Sequence, residues 1–291
     1  MSASPTREGF GVRSMTAPLR RVLVRRPATS GDWLAAGWRV PDALALVRQH
    51  DAFCALLEGL GAEVEVAAAL DGRVDAVYMH DPLIVTARGG IPLRMRKPMR
   101  AREPGHAREE LERLGIPVVG ELPEGAYADA GDRFWIDERL MAIGLGYRTN
   151  QAGAEAVAAL IAPEGVAVEA YDLAHDRGPD HVLHLQSFIS AVAERLCVIY
   201  EPLAPVRLLD ELRRRDVDWI AIDRESYDAM GCNILAVRPG VVVMVDGAPA
   251  VRRGLERRGI EVHAYDGSEI SLKGDGGPTC LTAPLLRASE T

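Results

Sequence analysis

Short apolar runs alternate along this chain with segments in which apolar residues recur at helical spacing. The clearest helical segment runs from about Asp42 to Leu60. In it Leu46, Phe53, Leu57 and Leu60 are spaced by 7, 4 and 3 positions and form one apolar stripe. Such a stripe predicts a helix that packs against a core on one side.

A join between a helix and a strand recurs along the chain, at intervals of 54, 50, 51 and 43 residues. Each join has a residue that can end a helix in the left-handed conformation, followed by an apolar run that predicts a strand. The join residues are Gly61, Gly115, Gly165, Asp216 and Gly259. The predicted strands are Glu63 to Val66, Ile116 to Val119, Val166 to Tyr171, Val217 to Asp223 and Ile260 to Tyr265.

Further β-rich segments lie between successive helices, at 77–87, 133–146, 188–200 and 233–245. Five units of strands plus one helix, with no low-complexity linker, predict one α/β domain over residues 1–291, built as a five-bladed pseudosymmetric α/β propeller. A doubly wound α/β sheet is the alternative, although no glycine-rich nucleotide-binding loop follows any strand. Leu19 to Val24 is a further predicted strand, and residues 1–16 are expected to be a frayed start.

Composition and charge exclude several classes of protein. Acidic residues outnumber basic ones 42 to 34, and aromatic residues make up only 5%, so nucleic-acid binding is not expected. The longest apolar run, Val241 to Val245, is far shorter than the roughly 18 residues of a membrane span. The 4 cysteines match neither a metal knuckle nor a disulfide framework, which favours a reducing cytoplasm.

Cys280 follows a segment rich in glycine and proline, a setting in which backbone geometry can hold a reactive thiol. It is the candidate nucleophile. Cys54 and Cys197 are interpreted as small buried apolar residues, and Cys232 stays undecided. Because a free thiol with a pKa of about 8.5 is mostly protonated, a cysteine enzyme needs a nearby base. His184, which precedes a β-rich stretch, is the candidate.

Carboxylates cluster near predicted strand ends. Asp129 and Asp132 precede the strand at 134–136, and Asp75 and Asp81 flank residues 76–80. Paired carboxylates suit a planar cation such as guanidinium, which they can bind through two hydrogen bonds. The alternative for each aspartate is helix capping or solvation in a loop.

Two arginines could hold the carboxylate of an amino-acid substrate. They are Arg100, in the basic segment 99–103, and Arg148, in the glycine-rich segment 144–150. An arginine can bind a carboxylate through two parallel hydrogen bonds. The alternative for both is a place on a solvated face.

Four segments, taken in order, resemble the guanidine-modifying pentein superfamily, and within it most closely the dimethylarginine dimethylaminohydrolases. They are Asp129-Ala-Gly-Asp132, the segment 147–155, His184-Leu-Gln-Ser-Phe188 and Asp275-Gly-Gly-Pro-Thr-Cys280. The similarity runs from about residue 20 to residue 285. The resemblance implies a five-fold pseudosymmetric α/β propeller and an enzyme that uses neither a metal nor another cofactor.

The resemblance also implies a role for each matching residue. Cys280 is similar to the nucleophile, His184 to the general acid and base, and Asp129 to the group that orients this histidine. The substrate-binding set is Asp75 and Asp81 for the guanidinium, Arg100 and Arg148 for the carboxylate, and the backbone near Gly274 for the α-amino end. One position departs from the pattern: His80 stands where dimethylarginine hydrolases commonly have glutamate.

The implied reaction is hydrolysis of a guanidinium C–N bond in a free arginine derivative, N-methylated in the first hypothesis. Citrulline and an amine would form through a covalent thiouronium on the cysteine. An amidinotransferase and an arginine deiminase remain open within the superfamily, as does a guanidino-compound binding protein outside enzymes. The expected partner is a small guanidino molecule, with no nucleic acid and no membrane. A homodimer is left open.

Overall fold

Strands and short helices alternate along the chain, as the apolar pattern predicts. The structure, a computed structural model, describes residues 9–179 and 181–288. The helices are α1 Ala43–Gly59, α2 Glu103–Arg113, α3 Gln151–Ile161, α4 Leu185–Phe188, α5 Val206–Arg214, α6 Arg224–Asp228 and α7 Pro249–Arg257. The strands are β1 Leu19–Arg25, β2 Glu63–Ala67, β3 Leu83–Thr86, β4 Gly89–Pro92, β5 Arg133–Asp137, β6 Leu140–Leu145, β7 Ala167–Asp172, β8 Ile189–Ala193, β9 Leu196–Ile199, β10 Asp218–Ala221, β11 Ile234–Arg238, β12 Val241–Val245, β13 Glu261–Tyr265 and β14 Ala283–Arg287.

Within the described residues these strands form five small sheets. In three of them an antiparallel hairpin is followed by a helix and a third strand that pairs in parallel with the second. These sheets are β5-β6-β7, β8-β9-β10 and β11-β12-β13. The α/β class is therefore confirmed. Separate small sheets also exclude the single extended sheet of a doubly wound fold.

The fourth sheet joins distant parts of the chain, because β14 pairs antiparallel with β1 and β1 pairs in parallel with β2. The fifth has only the hairpin β3-β4. The prediction of a third strand at Ile116 to Val119 is wrong. In this segment only Val118 forms an isolated parallel bridge, to Gly90. Pro117 lies inside this segment and lacks the N–H that a ladder needs.

The joins between helices and strands have the predicted backbone conformation. The φ angles are 95° at Gly61, 70° at Gly115, 74° at Gly165, 56° at Asp216 and 76° at Gly259. A residue in this region ends a helix and redirects the chain into the next strand. Aspartate is among the few residues other than glycine that adopt it.

The first helix matches its prediction closely. Asp42 caps it by accepting a hydrogen bond from the Ala45 backbone N–H at 2.8 Å. Leu46, Phe53 and Leu57 are completely buried in one of the apolar clusters that make up the core. None of the helices in the described residues is long and apolar enough to cross a membrane.

Two local predictions need correction. The β-rich segment 77–87 is a strand only over β3, because a 3-10 turn ends at Val77 and residues 79–82 form a further turn. The frayed start is wrong for residues 9–16, since Gly11 forms backbone hydrogen bonds with Leu285 and Arg287, and Val12 is buried. Residues 1–8 lie outside the described part of the chain.

Candidate active site

Each of the five sheets contributes one polar side chain from the same place in its unit. Asp81, Asp129, His184 and Asn233 lie one to five residues before the strand that opens the hairpin of their sheet. Cys280 lies three residues before β14, the strand that pairs antiparallel with β1. Three of the predicted site residues, Asp81, Asp129 and His184, are almost fully buried. The repeat therefore brings together side chains that are dispersed over about 200 positions of the sequence.

Cys280 and His184 lie on the wall of one cavity of about 530 Å³. Asn233 and Ser187 also line it, and the more exposed part of the wall carries the arginines Arg39, Arg177 and Arg224. Cys280 is half-buried, whereas Cys54, Cys197 and Cys232 are buried. The predicted nucleophile thus differs from the other cysteines in its access to the cavity.

His184 lies between two carboxylates. Its Nε2 hydrogen-bonds to Asp129 Oδ2 at 3.1 Å, and its Nδ1 is 3.9 Å from Asp81 Oδ1. The imidazole packs so closely on Gly131 that a Cβ there would lie 2.4 Å from His184 Nδ1. Only glycine leaves room for the ring at this position.

The electrostatic surroundings favour a charged imidazole. Burial alone would lower the pKa of His184, but Asp132 and Asp81, together with Asp129, raise it above the ordinary value. Burial also raises the pKa of Asp132 to about 7, against the opposing influence of His184 and Thr149. Asp132 is held by hydrogen bonds from the Thr149 hydroxyl at 2.6 Å and the Leu185 N–H at 3.0 Å.

The Cys280 thiol is held by a residue that the sequence analysis missed. Asn233 donates through Nδ2 to Cys280 Sγ at 3.1 Å, and its Oδ1 accepts from the Thr279 N–H at 3.0 Å. Burial, together with the negative charge of Asp81, raises the pKa of Cys280 to about 12, while the hydrogen bond from Asn233 opposes the shift. A cation beside the sulfur would favour the thiolate.

Asp81 forms an ion pair with a predicted substrate-binding residue. Its Oδ2 is 2.5 Å from Arg100 Nη1, while Asp81 Oδ1 has no hydrogen-bond partner among the described residues. Burial would raise the pKa of Asp81, but Arg100 and His184 outweigh it and lower the pKa to about 2. Arg100 is itself buried and also donates to Glu103 and to the Tyr78 carbonyl. A direct bond from Arg100 to a substrate would require an exchange of these partners.

Asp75 is buried with its own cation. It accepts from Trp38 Nε1 at 2.8 Å and from Lys97 Nζ at 2.6 Å. Trp38 stacks on Tyr78, and Gly274 fits against both rings, since a Cβ on Gly274 would lie 2.2 Å from the Tyr78 hydroxyl. Asp75 and Asp81 thus each already have a basic partner.

The remaining two predicted residues, Arg148 and His80, have different partners. Arg148 is mostly buried, with Nη1 3.4 Å from Asp129 Oδ2. His80 faces elsewhere: its Nδ1 donates to the Thr282 carbonyl at 2.9 Å, and its Nε2 accepts from Gln186 at 3.0 Å. Burial and the nearby Arg133 lower the pKa of His80 to about 3, so the ring is neutral. Contact with a substrate would cost it one of these bonds.

No three His, Cys, Asp or Glu side chains in residues 9–179 and 181–288 are grouped as a metal site requires. The site instead offers a thiol, a histidine between carboxylates and a series of buried ion pairs. Such a set can perform nucleophilic and acid–base chemistry on a cation.

Comparison with known proteins gives matches to enzymes of arginine chemistry. A family model described as arginine deiminase matches residues 212–287. The arginine deiminase of Mycobacterium avium (strain 104) is 30% identical over 193 residues. The matched residues are 56% of this chain and 47% of that protein, so this chain spans about half the length of such relatives. The N(G),N(G)-dimethylarginine dimethylaminohydrolase of Pseudomonas aeruginosa is 25% identical over 265 residues, covering 90% of this chain and 98% of that protein. A solved structure of a dimethylarginine dimethylaminohydrolase adduct matches with a TM-score of 0.74 at 25% identity, covering 91% of this chain and 98% of that one.

The resemblance to the guanidine-modifying pentein superfamily is confirmed. The arginine deiminase model matches only the segment that contains Asn233 and Cys280. The similarity to the dimethylarginine dimethylaminohydrolase extends over most of the chain, including the regions of His184 and Asp129. The chain is therefore similar to an enzyme of this superfamily over the regions that supply the buried cluster around His184.

Proposed function

We propose that this protein is a cysteine-dependent hydrolase that cleaves a guanidinium C–N bond of a free arginine derivative, most directly an N-methylated arginine, to give citrulline and an amine. The observation that carries the proposal is that Cys280 shares a cavity with His184, which is hydrogen-bonded to Asp129. The relatives named for reactions of arginine and dimethylarginine support the same substrate class.

In the proposed complex, the guanidinium of the substrate replaces the basic side chains that now pair with two carboxylates of the site. The guanidinium would take up the carboxylates of Asp75 and Asp81, where Lys97 and Arg100 now lie. Arg148, with Arg100, would hold the amino-acid carboxylate, and the backbone near Gly274 would contact the α-amino end. Because the site already balances its carboxylates with basic side chains, a substrate must bring both a cation and a geometric match to displace them.

The first chemical step is attack of the Cys280 thiolate on the central guanidinium carbon. The substrate cation lowers the thiol pKa from its high value in the protein alone, since a positive charge favours the ionised sulfur. A C–S bond forms, and the C–N bond to the leaving amine then breaks. Protonated His184, stabilised by its carboxylate neighbours, gives the amine its proton.

The second step restores the enzyme. Water attacks the thiouronium carbon, and the now neutral His184 accepts the water's proton. The C–S bond breaks, and citrulline leaves with the thiolate regenerated. Asp129 keeps the imidazole oriented through both steps.

The direct test is release of the ureido product with no added amine acceptor: citrulline from arginine, monomethylarginine and asymmetric dimethylarginine, and N-carbamoylputrescine from agmatine. We expect turnover of at least one amino-acid substrate and a covalent adduct on Cys280 detectable by mass spectrometry. Amidino transfer only in the presence of glycine, ornithine or lysine would contradict hydrolysis and indicate a transferase. Binding with neither an adduct nor product would indicate a binding protein.

We further propose that the five sheets are the blades of a closed five-bladed α/β propeller. The repeated order of hairpin, helix and parallel strand supports it, as does the pairing of β14 with β1. A cytoplasmic location and a homodimer stay predictions.

A further inference from the structure

A second buried cationic group lies apart from the catalytic cavity. Arg133, the first residue of β5, is 3% exposed. Its side chain has no hydrogen bond or ion pair with any described residue, and its Nε is buried without a partner. Lone buried charges are strongly unfavourable, and arginines in protein interiors are normally paired.

Arg287, on β14, adds a second positive charge. It is 8% exposed and donates only to backbone carbonyls, those of Ala17 at 2.6 Å and Ala236 at 2.8 Å. Burial lowers the pKa of Arg133 to about 10, and burial with the charge of Arg133 lowers the pKa of Arg287 to about 9. Both arginines remain protonated at neutral pH, and no carboxylate raises either pKa.

The two guanidinium groups line a cavity of about 20 Å³. His80, Thr279 and Thr282 also line it, and its wall contains no aspartate or glutamate. The volume is of the order of that needed for one water-sized occupant. Ser14, Met15 and Ala191 are shared with an adjoining cavity of about 420 Å³, which offers a route from outside.

We propose that the cavity between Arg133 and Arg287 binds one small monovalent anion of the halide class, which supplies the missing negative charge. A water molecule fits the space but brings no charge to offset the guanidinium groups. Sulfate and phosphate are much larger than one water-sized occupant. The Thr279 and Thr282 hydroxyls already donate to backbone carbonyls. The unpaired Arg133 N–H groups are therefore the donors to the halide, and the neutral His80 does not add to the charge.

This site also faces the segment that carries the nucleophile. Thr279 and Thr282 flank Cys280 in sequence, and the His80 N–H donates to the Cys280 carbonyl at 3.1 Å. An anion in the cavity would therefore stabilise the Cys280 segment from the side opposite the catalytic cavity.

The test is thermal unfolding of the purified protein at constant ionic strength, with chloride or bromide replacing gluconate. We expect a saturable rise in Tm of roughly 5 °C or more at a hundredfold excess over Kd. Sulfate at the same ionic strength should not reproduce it. Anomalous scattering from bromide-soaked crystals should give a peak between Arg133 and Arg287. An unchanged Tm, or a bromide peak elsewhere only, would overturn the proposal.

Two variants separate this site from general salt effects. Arg133→Met should abolish the halide-dependent rise, whereas Arg253→Met, at an exposed position on α7, should retain it. His80→Glu places a carboxylate in the same cavity and should likewise abolish the rise by replacing the anion. Retention of the full rise in both cavity variants would contradict the assignment. The wild-type crystal measurement decides the matter if either variant fails to fold.

Discussion

The protein contains two groups of buried charges, and they are balanced in different ways. Around His184, carboxylates alternate with basic groups, from Arg100 through Asp81 and His184 to Asp129 and Arg148. Around Arg133 and Arg287, the described residues supply carbonyl and hydroxyl oxygens but no carboxylate.

The difference teaches that burial alone does not identify a catalytic cluster. In the first group each charge has an opposite partner within the chain, so a substrate must compete for existing ion pairs. The second group is incomplete without a ligand from solution. The four predictions below test this contrast, from the largest expected effect to the smallest.

The largest effect should come from Cys280→Ser, which removes the only cysteine among the described residues that is not buried. A serine hydroxyl does not ionise at neutral pH, so turnover should fall by at least about a thousandfold. The measurement is steady-state citrulline formation. Cys54→Ser, on the buried face of α1, is the matched control and should retain most activity. The reverse pattern would discard Cys280 as the nucleophile.

The balance of charges predicts opposite results for two buried arginines. Arg100→Met leaves Asp81 and Glu103 without their cation and should lower the free energy of unfolding by about 3 to 5 kcal/mol. Arg133→Met removes an unpaired charge, so in halide-free buffer stability should be unchanged or higher. Urea unfolding measures both. Equal losses would mean that Arg133 has a compensating partner after all.

Arg148→Ala tests whether this arginine serves the substrate or only Asp129. Loss of a charge-assisted contact of about 1.5 to 3 kcal/mol should raise KM for arginine substrates roughly 10- to 100-fold. Agmatine lacks the carboxylate and should be almost unaffected. The comparison requires kcat and KM for both substrates. If kcat falls equally for both, Arg148 acts through its ion pair with Asp129.

The last prediction concerns the pH dependence of stability. The pKa of Asp132 is raised to about 7, above its unfolded value of about 3.9, so the folded state binds more protons between these values. Asp132 therefore contributes stability at low pH that is lost as pH rises from about 4 to 7. Asp132→Asn should make the decline in unfolding free energy over this range shallower. An unchanged slope would show that Asp132 is already ionised.

Much of the fold could be predicted because its signals are local. The cap at Asp42, the stripe of α1 and the left-handed joins each depend on a few neighbouring residues. The failure at residues 116–119 also had a local cause, since Pro117 lacks the N–H that a ladder needs. The repeat could also have identified Asn233 as a site residue. It lies just before the first strand of its sheet, as Asp81 does, and Cys280 likewise lies just before β14.

The partners of the site residues could not be predicted, because they come from distant segments. Nothing near Asp75 in sequence identifies Trp38 and Lys97 as its partners, and nothing near His80 shows that its ring turns toward Gln186. The unpaired condition of Arg133 is likewise a property of the assembled core. A sequence indicates which side chains have the chemical groups for binding or catalysis. Tertiary contacts decide which of these groups are already paired within the protein.

The pairing of β14 with β1 has a consequence for the order of folding. The paired residues are roughly 260 positions apart, so this sheet has a very high contact order and cannot form until β14 has left the ribosome. Cys280 lies just before β14 and reaches its place in the same late step. Chains that end before β14 therefore cannot assemble the Cys280 segment, and under the proposed function activity would begin only after β14 has paired with β1.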